Sequence, residues 1–154
     1  MWPRPELDCA ALGPPVAKAV GRQQVEVIDW RQELIHTAFN QTTRGPYRVT
    51  GTANAGGQAV KWSVILKIVA HSSGPFGGTA DPAGASYWNR EALIYQSGVL
   101  ADLPGIRAPR CFGIDRQEDG AAWIWLEDVR PGSSEAGLPA PYQLAAHSLG
   151  IFNG

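Results

Sequence analysis

Residues 62–69 read Trp-Ser-Val-Ile-Leu-Lys-Ile-Val, an apolar run with one lysine inside it. In a strand alternate side chains share a face, so Trp62, Val64, Leu66 and Ile68 lie on one side and Ser63, Ile65, Lys67 and Val69 on the other. Both faces are mostly apolar, as in a strand covered on both sides. The same reading predicts strands at 25–35, 46–53, 110–115 and 121–129. Asn-Ala-Gly-Gly at 54–57 suits a hairpin turn before the lysine strand, and Glu-Asp-Gly at 118–120 suits another. A Gly/Ser/Pro-rich loop at 71–84 leads to a helix at 86–102, stopping before Pro104. A linker at 130–140 precedes a last helical pattern at 141–154. Residues 1–24 are expected to be an N-terminal extension broken by prolines and acids. The order is three strands, a helix, two strands and a helix, which makes an α+β fold with a five-stranded antiparallel sheet and one packed helix.

Two charges break these patterns. Lys67 stands between Ile65 and Val69 on its face. A buried, unpaired ammonium loses hydration or gives up its proton. It therefore needs an anionic partner, unless the strand is an edge whose lysine reaches water. Glu91 is centred on Tyr87, Trp88, Ile94 and Tyr95, three or four residues away on one helical face. Two misplaced charges of opposite sign on adjacent elements predict a buried Lys67–Glu91 ion pair.

Composition narrows the class. The 154 residues are 44% hydrophobic and 18% charged, enough for one domain with a sizeable core. Thirteen basic against fourteen acidic side chains leave a net charge of −1. With no Lys/Arg stripe, nucleic acid is not an expected partner. No apolar run has the length of a membrane span, and the N-terminus lacks the apolar core of a signal peptide. Cys9 and Cys111 lie far apart and are expected to be reduced thiols of a cytoplasmic protein. His36, His71 and His147 are equally scattered and suggest no metal site.

The phrases WSVILKIV, WNREALIYQSGVLADLPGIRAPRCFGID, AAWIWLEDV and AAHSLGIFNG follow in order along 62–154. Together they resemble the aminoglycoside phosphotransferase and choline kinase group of protein-kinase-like folds, over residues 25 to 154. A lysine on the third strand paired with a glutamate of the following helix is that fold's nucleotide-positioning arrangement. The resemblance implies a kinase-like N-terminal lobe at 25–129, with a hinge linker and the first helix of an incomplete second lobe at 130–154. Lys67 would contact the α- and β-phosphates of ATP while Glu91 holds its ammonium. The Glu127 carbonyl and the Val129 amide would meet the edge of adenine, and Ile65 and Leu126 would line its rim. Asp128 would be a loop carboxylate without chemistry.

Glycines let backbone amides approach phosphates. The candidate phosphate-covering segment runs from Asn40 to Gly45, with Gly45 its one glycine. The aspartate that orients an acceptor hydroxyl, and the asparagine and aspartate that hold Mg2+, belong to the second lobe. The chain is thus expected to be a truncated piece, inactive alone, whose parent transfers phosphate from ATP to a small-molecule hydroxyl acceptor. The alternative is a non-catalytic α+β binding module in which Lys67 and Glu91 form only a structural pair.

Overall fold

The computed structural model describes residues 3–36, 42–73, 77–104, 106–130 and 147–150. The chain forms α1 (Cys9–Ala19), β1 (Glu26–Leu34), β2 (Thr43–Ala55), β3 (Gln58–Val69), α2 (Arg90–Ser97), β4 (Cys111–Arg116) and β5 (Ala122–Glu127). The fold is α+β, and the five strands make one antiparallel sheet in the order β1-β2-β3-β5-β4.

Each face of β3 has its own core, as its alternation requires. Trp62, Val64, Leu66 and Ile68 join Val49, Trp125 and Phe112 on one face, under Leu12 and Val16 of α1. On the other face Val69, Ile124 and Leu126 pack with Ala92 of α2, flanked by Ile65, Trp88 and Tyr95.

The sheet is thus covered by two helices, not one, and the expected N-terminal extension contains the second. Leu12 and Val16, one turn apart, are fully buried. Asp8 caps the helix by accepting the Ala11 N–H at 2.8 Å, and Lys18 donates to the Phe112 carbonyl of β4 at 2.7 Å. Pro14 and Pro15 lie inside α1, where each removes an amide donor and a proline costs about 3 kcal/mol relative to alanine. Docking of the apolar stripe outweighs that local preference.

The helix expected at 86–102 is shorter at both ends. Upstream, Thr79 accepts the Trp88 N–H (3.2 Å) and donates its own N–H to Ser86 O (3.0 Å), which ties that stretch into a bridge with the loop. Downstream, Gly98 adopts φ 75°, a left-handed conformation that ends helices. Of the final helical pattern, 147–150 are helical, and the remainder of 141–154 lies outside the described residues. No helix among the described residues is long and apolar enough to cross a membrane.

Candidate functional site

Register fixes which side chains share the α2-side face, since directly opposed residues of antiparallel strands point the same way. Across β2, β3 and β5 run the rows Pro46–Lys67–Ile124 and Arg48–Ile65–Leu126. Lys67 therefore stands among aliphatic side chains, with α2 above them. The Lys67 Nζ lies 2.6 Å from Glu91 Oε2, so strand and helix do bring the two misplaced charges together. No other described residue bonds the ammonium.

The pair is not buried as expected. Its side chains remain 29% and 35% exposed, because α2 is short and only Ala92 is buried on it. Tyr95 beside it has a phenol held above its ordinary value, first by its own burial and then by the Glu91 charge.

The end of β5 is more heavily tied than the sequence suggested. The Glu127 carboxylate accepts from Arg107 Nη1 at 2.6 Å and from the Arg110 N–H at 3.1 Å. These two bonds, Arg107 first, hold its carboxyl down at about 2. The backbone atoms assigned to adenine are bonded to each other, Val129 N–H donating to Glu127 O at 3.0 Å. Adenine would have to displace that bond. Ile65 and Leu126 are neighbours across β3 and β5, with Leu126 buried.

Asp128 is the residue that sequence reasoning passed over. Its side chain is only 4% exposed and meets Arg48 at 3.1 Å and Arg130 at 3.2 Å, while the Ser63 hydroxyl donates to it. Burial raises its carboxyl, but the Ser63 and Arg48 bonds outweigh that and hold it below its ordinary value. Asp128 thereby ties the end of β5 across β3 to β2. The register, which only the fold reveals, places it there: Val64 opposes Glu127, which sets the next residue beside Ser63.

Gly45 lies within β2 at the irregularity between Thr43 and Pro46, with φ 112°. That positive φ, which side-chain-bearing residues rarely adopt, accounts for this glycine; a Cβ there would meet the end of the flexible Leu34 side chain at 2.8 Å. Asn40 lies outside the described residues. Among those described, no cluster of three or more His, Cys, Asp or Glu is arranged to hold a metal ion. Compared with protein-family models, curated proteins and solved structures, the chain matches none.

Proposed function

We propose that this chain is the ATP-binding lobe of an ATP-dependent phosphotransferase acting on a small-molecule hydroxyl acceptor. The observation that carries the reading is the 2.6 Å contact between Lys67 on the third strand and Glu91 on the following helix. Lysine in that role is a point charge set against phosphate oxygens, where negative charge is redistributed as the phosphoryl group leaves. Glu91 orients it, Ile65 and Leu126 offer an apolar wall for the base, and Mg2+ would be held by groups of a second lobe. Free thiols at Cys9 and Cys111 support a reducing, cytoplasmic compartment.

Titration calorimetry with ATP and ADP tests the reading. Weak saturable binding is expected, lowered tenfold or more in Lys67→Met and changed little by magnesium. No binding by the wild-type chain, or equal binding by Lys67→Met, would overturn it.

A second reading, a non-catalytic α+β binding module with a structural Lys67–Glu91 pair, is favoured by the mutual Glu127–Val129 backbone bond. It predicts no nucleotide binding, together with a small loss of stability in Lys67→Met.

A further inference from the structure

Further along the same face, away from Lys67, the sheet carries a second set of polar rows. Arg31, Thr50 and Ser63 oppose one another across β1, β2 and β3, and Asp29, Thr52 and Lys61 form the next row. Of these, Asp29, Arg31, Thr50, Lys61 and Ser63 border, with Arg130, a groove of about 690 Å3 to which Trp30, Gly51 and Trp62 also contribute, within the range of small-molecule sites of about 300–1,000 Å3. Ser63 is four residues from Lys67, roughly 13 Å along a strand, so the groove is separate from the proposed nucleotide lysine.

The cations here are held in an unusual way. Arg31 donates its Nε–H to Thr50 Oγ1 at 3.1 Å, and Lys61 donates to Thr52 Oγ1 at 3.0 Å. Neither takes part in an ion pair among the described residues. Each threonine oxygen accepts from a cation, so its own O–H remains to donate. Arg31 keeps its terminal N–H fork, the geometry that grips a tetrahedral anion in bidentate fashion. Arg130 faces the groove while bonded to Asp128 at 3.2 Å. The carboxylate on the lining is Asp29, whose Oδ1 already accepts the Thr52 N–H at 3.1 Å. With Arg130 offset by Asp128, the two cations Arg31 and Lys61 against the one lining carboxylate, Asp29, in a chain of net charge −1, leave this groove locally positive and rich in donors.

We propose that the groove is a binding site for a phosphate-bearing small molecule, its phosphate held by Arg31 and Lys61 with Thr50 donating its hydroxyl proton, while Thr52 positions the Lys61 ammonium. The cations are gathered in a concavity, which suits a compact ligand more than a polymer backbone, where charge runs along a stripe.

Titration calorimetry of the full chain with inorganic pyrophosphate at low ionic strength is the test. Saturable one-site binding is expected, weakened tenfold or more in Arg31→Gln/Lys61→Gln. It should be retained in the charge-keeping Arg31→Lys/Lys61→Arg and in Arg90→Gln on α2. Circular dichroism of each variant checks that the fold is kept. An absence of wild-type binding, or binding by Arg31→Gln/Lys61→Gln equal to wild type, would overturn the site. Loss in Lys67→Met would move the anion to the other lysine. Much tighter binding of a short RNA duplex than of pyrophosphate would replace the small molecule with a polymer.

Discussion

Single residues on this sheet differ in worth by how far water reaches them. The Lys67–Glu91 pair was legible in the sequence because each charge interrupts an apolar pattern. What the pattern could not convey was the shallow cover of an eight-residue α2. Partly exposed ion pairs contribute about 1 kcal/mol or less, so Glu91→Ala should cost no more than that. Asp128 lay hidden in a loop-like phrase, since Arg48 is 80 residues away in sequence. Its removal strands partly buried donors on Ser63 and Arg48, at about 1–3 kcal/mol. Urea melts should rank Asp128→Ala as more damaging than Glu91→Ala; the reverse order would mean that the Asp128 network is not formed.

Glu127 adds a pH signature of defined sign. Its folded carboxyl titrates near 2 against an ordinary 4.5, so its stabilisation is complete above 4.5 and fades as pH falls toward 2. The gap in urea midpoint between wild type and Glu127→Gln should therefore stay constant from pH 7 to pH 5 and narrow at pH 3. A gap independent of pH would deny the Arg107 contact.

Among the elements, strands were easier to read than helices. β3 alternates so regularly that its two faces, and hence the two cores, follow directly from residues 62–69. The boundaries of α2 depended instead on Gly98 and on a tertiary bridge from Thr79, and only the glycine is visible locally. Gly-Pro-Pro at 13–15 argues against any helix, yet α1 forms because Leu12 and Val16 find a sheet to cover. Truncating a fully buried leucine typically costs about 2–5 kcal/mol. Leu12→Ala should fall in that range by denaturant melting, whereas a loss below about 0.5 kcal/mol would mean that α1 is only loosely docked.

For the molecule as a whole, the α+β class and the five-stranded antiparallel sheet were legible, and the proposed chemistry rests on one ion pair that was legible too. The positive groove was not, because Arg31, Thr50, Thr52 and Lys61 come from three strands and look like ordinary surface in each. A chain starting at residue 25 would bare the sheet face over Trp62, Val64 and Leu66. Such exposed apolar patches favour association, so it should bind hydrophobic dye and elute as aggregates, where the full chain does not. Equal behaviour of the two would remove α1 from the core.

The bond from Lys18 to Phe112 spans 94 positions, which has a consequence for the chain during its synthesis. A ribosome adds about 5–20 residues each second, so α1 emerges several seconds before the strand that anchors it. Throughout that interval a Gly-Pro-Pro segment has little reason to coil by itself. The first helix in the sequence is therefore among the last to form, and for those seconds its apolar side chains are open to chaperones or to neighbouring nascent chains.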